Sequence, residues 1–270
     1  YNYGSAILRS LGDTKRPLIF LIIGGIVNVV LNLVLVAGFH LDVAGVAIAT
    51  VVSQAISALL TLRQMMGMDE SIRLELGKIR VSRHKMMRIM KIGIPAGIQS
   101  TVFSISNVLI QSSINSFGAI AVAGNSAASN IEGFVYIAMN SFYQAAQTFT
   151  SQNVGGRRYE RVAKVFVNCM VMVTVIGVSL GVLVRLFETQ LLSIYLPGDM
   201  EAIGYGAERF KLVVTFYFLC GIMDLFPGAL RGMGYSTVPM ILSIIGTVGV
   251  RIIWIYGLFP THRSLGFLFI

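Results

Sequence analysis

The feature that most limits what this chain can fold into is a run of apolar blocks, bounded by glycine, proline or charge, near residues 14–38, 43–66, 92–117, 125–153, 160–186, 203–230 and 235–258. A helix rises ~1.5 Å per residue, so about 20 mostly apolar residues cross a hydrocarbon layer ~30 Å thick. Each block is long enough. No water reaches a backbone N–H or C=O inside a bilayer, and a helix lets one segment satisfy its own. Composition agrees, with 55% hydrophobic and 12% charged residues, against about a quarter charged in a soluble domain. The expected class is an all-α polytopic membrane protein. Residues 1–10 read as the end of an earlier helix and 266–270 as the start of another, so a piece of a longer chain is expected.

A net charge of +9 raises nucleic acid as a partner, and the placement of the 21 Lys and Arg decides the matter. Sixteen fall in or beside alternate connections: Arg9, Lys15 and Arg16, then eight from Arg63 to Lys91, then Arg157, Arg158, Arg161 and Lys164, then Arg231. The opposite connections, near 38–42, 118–124, 187–202 and 259–265, hold Asp42, Glu188, Asp199 and Glu201, with Arg263 as their cation. Basic residues are retained on the cytoplasmic side, so the first set faces the cytoplasm. The charge reports topology. Nucleic acid is not an expected partner, whereas membrane lipids are. The stretch GMDESIRLELGKIRVSRHKMMRIMK, residues 67–91, reads as a cytoplasmic linker with a helix along the membrane surface, its basic cluster drawn to anionic headgroups. Cys169 and Cys220 lie inside apolar blocks and give neither a disulfide framework nor metal spacing. His40, His84 and His262 sit in connections without ligand partners.

Two stretches repeat. LRSLGDTKRP at 8–17 and LRGMGYSTVP at 230–239 stand 222 residues apart with six spans between them. An even number of crossings restores orientation, which implies parallel repeats of about six helices. Each joint has a local cause. Arg9 and Arg231 complement the dipole at a helix C-terminus, Gly12 and Gly234 can take the left-handed conformation that closes a helix, and Pro17 and Pro239 fit the first turn of the next.

YNYGSAILRSLGDTKRP, followed by VNVVLNLVLVAGFHLDVAGVAIATVVSQ, resembles helices four to six of the multidrug and toxic compound extrusion (MATE) family. The likeness continues through IGIPAGIQ at 92–99, SQNVGGRRYERV at 151–162 and LRGMGYSTVP. It implies twelve helices in two six-helix lobes around a central cavity, working as a cation-coupled antiporter. Residues 1–66 would then be the last part of the first lobe, 67–91 the inter-lobe linker, and 92–270 the second lobe to the start of its last helix. Helices one to three, most of four and most of twelve have no counterpart here.

A transport cavity needs polar residues at helical spacing within an apolar shell. Ser100, Ser104, Asn107, Gln111 and Asn115 form one stripe, and Glu132, Tyr136, Asn140, Gln144, Gln147 and Ser151 another. Two readings stand: interhelical hydrogen bonding, or cavity lining against protein or water. Asn28 and Asn32 make a shorter stripe that reads as packing glue.

Charges within spans are costly, and three matter: Glu132, Asp224 and Arg251. Glu132 and Arg251 are near in depth, so an ion pair between them is one reading and an ion-coupling Glu132 the other. Asp224 has no evident cation at its depth and is taken as the ion-coupling group, with Tyr217 and Cys220 on its face. A carboxylate capping the Arg231 joint is the alternative. Branches of the resembled family that couple to sodium, and eukaryotic ones, carry a Glu about two turns after the proline matching Pro95. Residues 96–117 contain no acid, with Phe103 and Ser104 at that place.

The expected function is export of amphipathic, often cationic organic compounds by alternating access in a cell membrane of bacterial inner-membrane type. Proton or sodium is the coupling ion, no cofactor or metal is needed, and no obligate protein partner is evident. The alternative is a lipid-linked oligosaccharide flippase of related fold, which should show a strongly cationic cavity. With no Gly-rich phosphate loop, paired catalytic acids or nucleophile triad, neither an enzyme nor an ATP-driven pump is expected.

Overall fold

The computed structural model describes residues 1–70, 72–259 and 266. They divide into two compact units, Tyr1–Ser82 and Arg83–Ile270. The sequence-expected connection at 259–265, with His262 and Arg263, and the helix start at 266–270 fall outside the described residues, Phe259 and Gly266 apart.

The first unit contains α1 (Asn2–Ser10), α2 (Lys15–Asn32, continued by a π-helical turn over Leu33–Gly38), α3 (Asp42–Met66) and a short 3-10 turn at Leu76–Lys78. Small residues hold it together. Gly45, Ala49, Ser53, Ser57 and Thr61 recur every fourth position of α3 and are all buried. Without a hydrophobic drive between helices in lipid, close backbone approach and hydrogen bonds do the work. Ser57 Oγ donates to the Phe20 carbonyl at 3.2 Å, and Asn28 Nδ2 to Ser53 Oγ at 3.3 Å. Asn32 Nδ2 donates to Asn28 Oδ1 at 3.0 Å. Asn28 therefore ties α2 to α3, whereas the bond of Asn32 stays within α2.

The second unit contains α4 (Arg83–Asn115), α5 (Ala119–Gly155), α6 (Tyr159–Leu186), the short α7 (Glu188–Tyr195), α8 (Met200–Leu212) and α9 (Tyr217–Gly232), then α10 (Thr237–Ser243) and α11 (Val250–Ile253). A 3-10 turn at Val214–Phe216 joins α8 to α9, and π-helical turns at Ile244–Gly249 and Trp254–Leu258 carry the last stretch through α11. The central helix is α5, packed on α6, α8 and α9. Ile131 and Val135 of α5 meet Val184, Leu192, Phe210 and Val214 in the main core cluster, while Ala146, Cys169 and Leu225 form another. At Gly232 a Cβ would lie 2.7 Å from the Gln147 carbonyl oxygen, a backbone atom that cannot swing aside, so the α5–α9 crossing requires glycine there.

Both repeated joints close alike. Gly12 and Gly234 have φ of 90° and 94°. Asp13 N donates to Leu8 O at 3.0 Å and Tyr235 N to Leu230 O at 2.9 Å, while Gly12 N reaches Arg9 O at 3.0 Å and Gly234 N reaches Arg231 O at 2.9 Å. The bonds satisfy carbonyls a helix end leaves orphaned. Pro17 and Pro239 are buried in the first turns that follow.

Among the described residues six helices are long and apolar enough to cross a membrane: Lys15–Gly38, Asp42–Met66, Arg83–Asn115, Tyr159–Leu186, Met200–Gly232 and Thr237–Leu258. This is a multi-pass membrane protein. Two sequence expectations need correction. Residues 83–91, read as linker, are the first turns of α4, because nothing from Arg83 to Lys91 breaks a helix and Pro95 lies inside it. The block at 125–153 belongs to a longer helix, Ala119–Gly155, that is not among the six, its amides and hydroxyls lowering its hydropathy.

Candidate functional site

Three arginines of the second unit organise its polar interior. Arg209 of α8 is held by α5: its Nε donates to Glu132 Oε1 at 2.8 Å and its Nη2 to Glu132 Oε2 at 2.7 Å. Its Nη1 donates to Asn125 Oδ1 at 2.6 Å. Asn125 Nδ2 donates to Gln111 Oε1 at 3.2 Å, and Gln111 Nε2 to Asn115 Oδ1 at 3.0 Å. One chain of bonds thus ties α8, α5 and α4, with Glu132 only 5% exposed. A fork against a carboxylate is the strongest geometry such a pair can adopt, and the burial of Glu132 against a half-buried Arg209 calls for it.

This corrects the reading of Glu132. Its partner is Arg209, not Arg251, and its carboxylate is taken up by the guanidinium fork rather than left to an ion. Sequence reasoning passed over Arg209, although it lies seven residues into the block at 203–230 and Glu132 eight into the block at 125–153, both entering from the outer side. Equal depth was the available signal; that α8 packs on α5 was not visible in the sequence.

Arg231, in the last turn of α9, donates through Nη1 to Tyr143 Oη and through Nη2 to Gln99 Oε1, each at 2.6 Å. Gln99 Nε2 passes the link to Ser243 Oγ at 2.9 Å, so α9, α5, α4 and α10 meet there. Arg251 of α11 donates through Nη1 to Asn107 Oδ1 at 3.0 Å and approaches Ser106 Oγ at 3.5 Å, with its guanidinium 5.9 Å from the Phe103 ring centre.

Asp224 of α9 is half-buried and, among the described residues, makes no ion pair. Arg231 lies two turns further along α9, within electrostatic range, as does the Tyr136 hydroxyl of α5. Along α5, Gln144 Nε2 donates to Asn140 Oδ1 at 2.9 Å and Asn140 Nδ2 to Tyr136 Oη at 3.5 Å. Tyr136 and Gln144 are exposed, Asn140 and Gln147 half-buried. Ser104 is exposed and donates to Ser100 O at 3.0 Å. Tyr217 packs against the main core cluster, which the spacing alone did not show. The structure therefore brings Asp224 within electrostatic range of Tyr136, which leads the Tyr136–Asn140–Gln144 stripe, and pairs Glu132 with Arg209. The α4 stripe is split between two partners, Arg251 at Asn107 and Asn125 at Gln111.

Comparison with known proteins decides the family. A family model described as MatE matches residues 95–256. The chain belongs to the MatE family. Among curated MatE relatives, the probable multidrug resistance protein YpnP of Bacillus subtilis is 26% identical over 249 residues, covering 91% of this chain and 54% of its own length. The multidrug export protein MepA of Staphylococcus saprophyticus is 23% identical, covering 93% and 56%. The chain thus spans about half the length of the curated relatives it matches. A solved MOP superfamily transporter from Pyrococcus furiosus superposes with a TM-score of 0.88 at 20% identity, covering 99% of this chain and 61% of that one. An outward-facing multidrug resistance MATE transporter does so with the same score and identity. The fold is accordingly the all-α, two-lobe fold of MATE transporters.

Proposed function

We propose that this chain serves cation-coupled export of amphipathic, often cationic organic compounds, with Asp224 as the group that takes the coupling proton or sodium ion. The observation that carries this reading is Asp224 itself, a carboxylate within a span, without an ion pair among the described residues, and within electrostatic range of Tyr136 in the α5 stripe of hydroxyl and amides. A carboxylate there exchanges one small cation for another, and Tyr136, Asn140 and Gln144 offer neutral hydrogen-bonding partners to a bound organic molecule. Binding of ion and substrate then favour opposite openings of the protein, which requires that each bind the two states unequally. The names of the relatives, a probable multidrug resistance protein and a multidrug export protein, support export of drugs as the activity.

Efflux of a cationic dye from cells expressing the full-length protein tests this, with Asp224→Asn beside it. Abolished efflux at unchanged membrane abundance is expected, and unimpaired efflux removes Asp224 from the mechanism. Proteoliposomes energised by a sodium gradient or by a proton gradient alone identify the ion.

A further inference from the structure

Arg251 presents an unbalanced charge. It is the fifteenth residue of the 22-residue span Thr237–Leu258, far from the helix C-terminus that compensates a cation such as Arg231. Elsewhere in the second unit, Arg209 holds Glu132 and Arg185 holds Glu188. Among the described residues Arg251 has no carboxylate within reach. A guanidinium carries five N–H donors in a rigid fork. Here Nη1 alone is engaged, by the neutral oxygens of Asn107 and Ser106. The Phe103 ring lies beside the group, and its Nε and Nη2 edge meets no acceptor among the described residues. Charges at this depth face protein or a water-filled cavity and are paired there. The partner that would balance this half-buried charge is an anion.

We infer that Arg251, set by Asn107, Ser106 and Phe103, is a recognition point for the acidic group of a transported compound, a carboxylate above all. The inference rests on the proposed export function and narrows its substrate class. Cys220 lies within electrostatic range of both Arg251 and Asp224. The site therefore holds a carboxylate on α9 and a guanidinium on α11 that both act on Cys220. Such a pair fits an amphipathic zwitterion, its amine toward Asp224 and its carboxylate across the free edge of Arg251. A planar fork suits a carboxylate because both oxygens can be held at once.

The test is equilibrium binding to the detergent-purified full-length protein, read by fluorescence polarisation, of a rhodamine bearing a free carboxylate and of its methyl ester. The pair differs at the one group Arg251 addresses. The acid should bind about tenfold more tightly than the ester, the size of a single charge-assisted contact. Arg251→Gln should bring the acid down to the ester and leave ester binding within about twofold, and Arg251→Lys should restore part of the difference. Equal binding of acid and ester to the native protein, absence of acid binding, or equal weakening of both by Arg251→Gln overturns the inference. Because binding is read without transport, failure of the export reading shows separately, as native cells that expel neither dye.

Discussion

The pair of buried Glu132 and half-buried Arg209 joins opposite charges of α5 and α8. Desolvating both ions is expensive, and the fork with its further bond to Asn125 offsets that cost. Removing one partner strands the other charge, worth about 3–5 kcal/mol. Glu132→Leu and Arg209→Leu should each lower thermal stability in detergent by that order, while the double variant should be more stable than either single one. A merely additive loss would show the pair to be uncoupled. Gly234 makes a different demand. A Cβ there meets nothing within 4 Å, so Gly234→Ala costs only the left-handed backbone, about 1–2 kcal/mol. A much larger fall in melting temperature would mean that the joint has a further structural role.

At the scale of elements, α4 overruns the bilayer. Its 33 residues span about 50 Å, and the excess carries Arg83, Lys85, Arg88 and Lys91 together with exposed Met86, Ile89 and Met90. No acid stands in its first turn, so these cations crowd the positive end of the helix dipole unless an anion joins them. Acidic phospholipid would supply one. Native mass spectrometry of the full-length protein with added phosphatidylglycerol should show several-fold less retained lipid for Lys85→Gln/Arg88→Gln/Lys91→Gln, and far less change for Arg157→Gln/Arg158→Gln. Equal losses would reduce the effect to bulk charge. The same helix shows where the sequence is legible and where it is not. Apolar length, the two glycine closures and the polar stripes follow from local chemistry, so the spans and the joints could be read directly. A basic run reads alike as linker or as overhanging helix. The partner of Arg209 depends on which helices touch, a long-range fact with no local signature.

At the scale of the whole molecule, orientation is the property that charge placement fixes most firmly. Arg9 and Arg231 stand at equivalent helix ends with matching closures, and sixteen of the 21 Lys and Arg fall in or beside the connections read as cytoplasmic. If six crossings separate the two joints, both must face the cytoplasm. Single cysteines placed at Ser10, Tyr235 and Met200, in a background of Cys169→Ala and Cys220→Ala, make this measurable, since Tyr235 and Met200 are 61% and 71% exposed and Ser10 is exposed as well. An impermeant maleimide applied to intact cells should label Met200→Cys at once, and Ser10→Cys and Tyr235→Cys only after permeabilisation. Labelling of one joint from outside and the other from inside would require an odd number of crossings between them. That result would also move α5, whose polar surface keeps it from the six apolar spans, out of the bilayer, and with it the stripe that Tyr136 leads. The accessibility of two joints therefore tests the placement of the polar helix on which the proposed site depends.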